Sequence, residues 1–162
     1  MSKKVAFLGL SLAAALIFGY VEMLIPFDIG IPGVKIGLAN IIVMILLYTE
    51  SFKTTIFINF LRIFIIGALF GGGTRTLISA CGALFALSAM WVLKKFGFHI
   101  VTVSAISGVM HNLGQTAAAI FVMGTGTILY FLPMLIVTGL VSGSLIGVIS
   151  NAVIKRMKSI IK

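Results

Sequence analysis

The sequence has 162 residues, of which 60% are hydrophobic and 9% charged, and a formal net charge of +9. A soluble domain carries roughly 25% charged residues, so this chain has too little polar surface to coat a water-soluble globule. Its cations stand in pairs and clusters beside apolar runs, which marks them as topology signals and lipid-headgroup contacts and argues against nucleic acid as a partner.

A membrane span takes about 20 apolar residues, and six of them use about 120. That leaves short loops and predicts one all-α, polytopic membrane domain of six transmembrane helices over residues 1–162. Helix 1 is expected over Val5–Ile25, ending before Pro26. Lys3 and Lys4 followed by an apolar run resemble a signal peptide. No small-x-small cleavage site follows, so the segment reads as a retained helix. Pro26 to Gly33 is turn-rich. Helix 2, Lys35–Thr49, is short for a full span, so its outer end is expected inside the protein. Helix 3 is expected over Phe52–Phe70, followed by a flexible break over Gly71–Arg75. Helix 4 follows over Thr76–Leu93, then a loop from Lys94 to His99. Helix 5 is expected over Val101–Met123 and a small uncharged turn over Gly124–Thr127. Helix 6 is expected over Leu129–Ile154, with Pro133 tolerated in its first turn.

With the N-terminus inside, the cytoplasmic segments hold Lys3, Lys4, Lys53, Lys94, Lys95, Lys155, Arg156, Lys158 and Lys162, against Lys35 and Arg75 outside. This bias predicts both ends in the cytoplasm. Cys81 is the single cysteine and stands in an apolar stretch, so it reads as a small packing residue rather than a disulfide partner or metal ligand.

Small residues recur at four-residue spacing in two helices. Helix 6 carries Gly139, Gly143 and Gly147, and helix 1 carries Gly9 with Ala13, Ser11 with Ala15, and Ala15 with Gly19. Such stripes let a second helix backbone approach closely. For helix 6 the reading is packing inside the bundle. For Gly9, Ala13 and Ala15 it is either that or docking of a separate membrane subunit.

Ionisable and amide side chains inside a span are costly, by about 3 kcal/mol for a charge on insertion scales, and so tend to have partners and roles. Glu22 and Asn40 lie near the expected outer ends of helices 1 and 2. Asn59 and Arg62 share a face of helix 3, and His111, Asn112 and Gln115 stand in the middle of helix 5. All fall in the outer half, where they can converge on an apolar cavity beneath the Pro26–Val34 and Gly71–Arg75 loops. Arg62 offers a fork of donors to a carboxylate, phosphate or carbonyl pair, and Lys35 and Arg75 stand at the mouth to steer an anion. The plainer alternatives are that Glu22 and Arg62 neutralise one another, that Asn40 and Asn59 bond helix to helix, and that His111 is a satisfied core histidine.

The chain contains no Gly-x-x-x-x-Gly-Lys-Ser/Thr loop, no zinc-ligand spacing and no Gly-x-Ser-x-Gly elbow. Its three acids, Glu22, Asp28 and Glu50, lie far apart in sequence and do not form an aspartate-rich magnesium site. No catalytic residue, metal or cofactor is expected.

The block Pro32-Gly33-Val34-Lys35-Ile36-Gly37-Leu38-Ala39-Asn40, with Leu61-Arg62 and His111-Asn112-Leu113-Gly114-Gln115, resembles a bacterial membrane family. It is the family labelled "Gx transporter" or "heptaprenyl diphosphate synthase component I". That family is similar to the substrate-binding S components of energy-coupling factor (ECF) transporters. The resemblance implies an S-component-like bundle of six helices in the bacterial cytoplasmic membrane, with a small-molecule site in the outer half. It also implies docking through helix 1 on a coupling subunit that carries two ATPases. It marks Lys35, Asn40, Arg62, His111, Asn112 and Gln115 as functional positions. Members are also linked to quinone synthesis and flavin-linked electron transfer, which implies an accessory membrane subunit as the second reading. A proton-coupled transporter using Glu22 and His111 is a third.

Overall fold

The computed structural model describes residues 2–24 and 37–161. Among them the regular structure is helical throughout: α1 (Ser2–Leu24), α2 (Ala39–Thr49), α3 (Phe52–Ile66), α4 (Gly72–Lys95), α5 (Ile100–Met123) and α6 (Leu132–Ile161). The stretches Lys3–Leu24, Phe52–Phe70, Gly72–Lys95 and Thr127–Met157 are long and apolar enough to cross a membrane. α5 is as long as α4 but falls outside that set, because His111, Asn112 and Gln115 dilute its apolar character.

α2 is the central helix. It is apolar on every side, and Ala39, Ile41, Val43, Met44, Ile45, Leu46 and Leu47 are all buried. At 1.5 Å per residue its 11 residues measure about 16 Å, half of the ~30 Å hydrocarbon layer. Leu87, Met90, Val103, Ile146 and Ile154 join its Met44 and Leu47 in one core drawn from α2, α4, α5 and α6.

Antiparallel packing of α5 on α6 rests on glycine. A Cβ on Gly139 would fall 2.8 Å from the Gly108 carbonyl oxygen, one on Gly143 2.6 Å from the Ser104 carbonyl oxygen, and one on Gly147 2.7 Å from Val101 Cα. The stripe expected to pack within the bundle does so. α4 meets α5 in the same way, with Gly114 against the Cys81 carbonyl and Phe85, and Gly82 against His111.

Two expectations change at the helix ends. The break predicted over Gly71–Arg75 is helical: a wide π-helical turn, Gly67–Gly71, runs into α4, which begins at Gly72. Gly72 adopts φ +67°, a conformation that costs glycine little, and this single residue makes the corner. Gly67 packs directly on Thr76, whose Oγ1 donates to the Gly72 carbonyl at 2.8 Å, so the hairpin closes tightly. The start predicted for helix 6 at Leu129 is instead a 3-10 turn, Thr127–Phe131, and α6 begins at Leu132 with Pro133 in its first turn.

Contacts identify a lysine-rich end of the bundle. There Lys4 pairs with Glu50 at 3.0 Å, Lys94 Nζ donates to the Leu47 carbonyl at the C-terminus of α2, and Phe52 stacks on Trp91 with ring centres 5.5 Å apart. The opposite end carries Glu22, Gly37, the α3–α4 corner and the Tyr20–Phe70 ring contact, 5.3 Å between centres.

Candidate functional site

Glu22 lies in the last turn of α1, and its Oε1 accepts a hydrogen bond from the backbone N–H of Gly37. Gly37 has φ +79°, a left-handed conformation that glycine adopts at little cost, and it turns the chain into α2. The Asn40 N–H then donates to the Gly37 carbonyl at 2.8 Å, closing the first turn. Leu38, at the N-cap position of α2, supplies no side-chain cap. The Glu22 carboxylate provides what the cap lacks: an acceptor and a negative charge at the positive end of the helix. Asn40 crowds the same point, since a Cβ on Gly37 would fall 3.1 Å from its Nδ2 and 3.1 Å from Ile146 Cδ1.

Beside this junction lies the pair on α3. Arg62 Nη2 donates to Asn59 Oδ1 at 2.9 Å, and Asn59 is only 3% exposed. Arg62 Nε is buried and has no hydrogen-bond partner. A buried donor left unsatisfied costs about 1–3 kcal/mol, and more when it is charged. Glu22 acts electrostatically on this guanidinium, but the two do not pair. The one ion pair among the described residues is Lys4–Glu50. Neutralisation of Arg62 by Glu22, expected as an alternative, is therefore a through-space effect, with the carboxylate already engaged on the backbone of Gly37.

The polar residues of α5 diverge. His111 and Gln115 face α4 at Gly82, where a Cβ would come within 3.0 Å of the His111 carbonyl oxygen. Asn112 turns to α6 and donates from Nδ2 to the Leu135 carbonyl at 2.6 Å. Asn112 thus acts as a bond between helices. Arg75 is exposed on the first turn of α4, and Lys35 lies outside the described residues, as does the Pro26–Val34 segment expected to cover the site.

Two open apolar grooves stand elsewhere. One, of about 510 Å³, runs between α4 and α5 along Leu84, Phe85, Ser88, Ala89, Val92, Leu93, Ile106 and Met110. The other, of about 570 Å³, lies at the α3–α4 corner along Gly67, Ala68, Gly72, Gly73 and Thr76. Neither is lined by any polar residue singled out in the sequence for ligand binding.

On α1 the small-residue pattern splits. Ala15 and Ser11 are buried in the bundle, at 1% and 8% exposure, whereas Gly9 and Ala13 are exposed and an added Cβ on Gly9 meets nothing within 4 Å. The residue that sequence reasoning passed over is Gly37, whose backbone N–H is the ligand of Glu22. A glycine two residues before a helix start, opposite a membrane carboxylate, is the signal that marks it. Among the described residues no three His, Cys, Asp or Glu side chains gather as a metal site. The chemistry available here is recognition: a guanidinium with a free donor, fixed by an amide and flanked by a carboxylate.

Residues 11–153 match the family described as heptaprenyl diphosphate synthase component I, a stretch that takes in Glu22, Gly37, Arg62 and the whole of α5. The chain belongs to that family. No curated protein and no solved structure matches it.

Proposed function

We propose, on the premise of that membership, that the chain is a non-catalytic, substrate-binding subunit of a bacterial cytoplasmic-membrane transporter, similar to the S components of ECF systems. In this reading six helices cross the membrane with both ends inside, and the lysine-rich end faces the cytoplasm. A small molecule bearing a carboxylate, phosphate or carbonyl enters from the other side and binds Arg62. Separate coupling and ATPase subunits supply the energy.

The observation that carries this reading is the buried, unbonded Nε of Arg62, with Asn59 holding the neighbouring Nη2. A charged donor kept in a span without an acceptor is expensive unless something else completes it, and intramembrane ionisable groups mark substrate paths by default. The exposed Gly9 and Ala13 on α1 support docking of a coupling subunit there, because small residues let a second helix approach closely.

The test is purification from native membranes in mild detergent, with mass spectrometry of co-purifying proteins and small molecules. Wild-type protein should bring down a coupling subunit, ATPases and a bound metabolite. Arg62→Ala should retain the subunits and lose at least tenfold in metabolite. Unchanged metabolite occupancy removes Arg62 from the role.

The family description favours a second reading, that of an accessory membrane component of a prenyl diphosphate synthase or quinone-linked assembly. Under it the same purification recovers soluble synthase or redox proteins and no ATPases.

A further inference from the structure

The adjacent lysines that end α4 have different surroundings. Lys94 turns inward: its ammonium donates to the Leu47 carbonyl at the end of α2 and lies 5.0 Å from the centre of the Tyr48 ring. Lys95 stays exposed, with Nζ 3.7 Å from the centre of the Trp91 ring, and Trp91 is backed by Phe52. No carboxylate among the described residues pairs with Lys95. A tryptophan carrying a lysine at the end of an apolar helix is the arrangement that fixes a cation at headgroup depth.

Lys95 also ends the face of α4 that borders a groove. Leu84, Ser88 and Lys95 recur at intervals of four and seven residues, with Val92 alongside, so they share one face of α4. Leu84, Ser88 and Val92 line the 510 Å³ groove between α4 and α5, with Leu93, Ile106 and Met110 on its walls. From Leu84 to Lys95 the helix rises about 16 Å, at 1.5 Å per residue. The groove therefore lies along the face of α4 whose end carries Lys95.

Its lining decides between occupants. Another helix needs small residues so that its backbone can approach. The α3–α4 corner groove has them, in Gly67, Ala68, Gly72 and Gly73. The α4–α5 groove has only Ser88 and Ala89 of that kind, between the larger Leu84, Phe85, Val92, Leu93, Ile106 and Met110, which hold a helix backbone off and leave room for a thin, flexible chain.

We propose that the α4–α5 groove holds an acyl chain of an anionic phospholipid whose headgroup phosphate rests on Lys95. Phosphatidylglycerol and phosphatidylcholine with identical chains would be offered to delipidated, detergent-solubilised protein, and the retained lipid counted by native mass spectrometry. Wild-type protein should retain phosphatidylglycerol about fivefold better, the discrimination expected of one lysine near the membrane surface. Lys95→Gln should abolish the preference, while Lys155→Gln, at the same end but away from the groove, should keep it. Ala89→Trp, or Val92→Phe if the first does not fold, fills the groove and should lose both lipids. Equal retention of the two lipids by wild type, or the same preference in Lys95→Gln as in Lys155→Gln, overturns the phosphate contact. Undiminished phosphatidylglycerol in a folded groove-filled variant overturns the groove.

Discussion

Along α5 and α6 the backbones nearly touch at Gly108, Gly139, Gly143 and Gly147, whereas α1, α2 and α3 carry a carboxylate on the backbone amide that precedes α2, a guanidinium on an amide within α3, and an ion pair from α1 to the end of α2. The first kind of junction draws on dispersion between close surfaces, which is what remains to drive helix association when lipid is as apolar as leucine. The second kind is directional and includes a buried charged donor left unfilled. Close-packed surfaces move little. Polar groups that are partly satisfied leave room for a ligand to complete them. On this comparison α4, α5 and α6 form the scaffold, and under the proposed function the end of α1, the start of α2 and the middle of α3 are the responsive part.

The largest expected effect tests the scaffold. In Gly143→Leu, the new side chain starts 2.6 Å from the Ser104 carbonyl oxygen and 2.9 Å from Ala105 Cα, so backbone has to move. Overpacking of this kind costs about 3 kcal/mol, and the midpoint of thermal unfolding in detergent should fall clearly. The same substitution at Gly9, where nothing lies within 4 Å, should leave that midpoint unchanged and reduce only the recovery of a partner subunit. Equal melting of Gly143→Leu and Gly9→Leu would break the distinction between seam and open face.

Next in size is Glu22→Ala, which leaves the Gly37 N–H without its acceptor and α2 without an anion at its N-terminus. The cost should be about 1–3 kcal/mol, expressed locally as faster amide exchange at the start of α2. Glu22→Gln keeps an acceptor oxygen and should exchange more slowly than Glu22→Ala. If the two variants exchange alike, the charge matters more than the bond.

Much of this was legible in the sequence. Apolar runs, loop cations and the Gly139-Gly143-Gly147 stripe reveal a helical bundle and its closest seam, because each reports on its own helix. The phase of the α5 residues was not legible. His111, Asn112 and Gln115 look like one cluster by spacing, yet Asn112 bonds to α6 while His111 and Gln115 meet α4. A helix packed between two neighbours turns residues one position apart, about 100° on the helix, toward different partners. The corner at Gly72 reads as a break in the sequence because three glycines in a row lack intrinsic helix preference, and the packing of Gly67 on Thr76 overrides that. Arg62 and Asn59, three residues apart on one helix, were legible as a pair because their geometry is local.

Asn112→Leu is a smaller test and belongs to the scaffold side, although the residue is polar. Removing its bond to the Leu135 carbonyl should cost about 0.6 kcal/mol, the average for polar pairs between membrane helices, and no more than about 1.7 kcal/mol. Bound metabolite should be unaffected. Loss of metabolite without loss of stability would move Asn112 from the scaffold to the responsive part.

The smallest expected effect is at the Lys4–Glu50 pair, which joins α1 to the end of α2 with side chains 61% and 17% exposed. Water and salt screen such a pair, so a double-mutant cycle of Lys4→Met and Glu50→Gln on purified protein should give a coupling of no more than about 1 kcal/mol. The value is informative because Lys4 stands seven and eleven residues before the buried Ser11 and Ala15, on the inner side of α1, whereas Gly9 and Ala13 are exposed on the other side. Only a subunit that also wraps over the lysine-rich end would exclude water from Lys4, and a pair removed from water couples more strongly. Repeating the cycle on protein with its co-purified partners therefore measures coverage of α1. A rise in coupling means that the partner reaches the lysine-rich end, and an unchanged value confines docking to the middle of the helix.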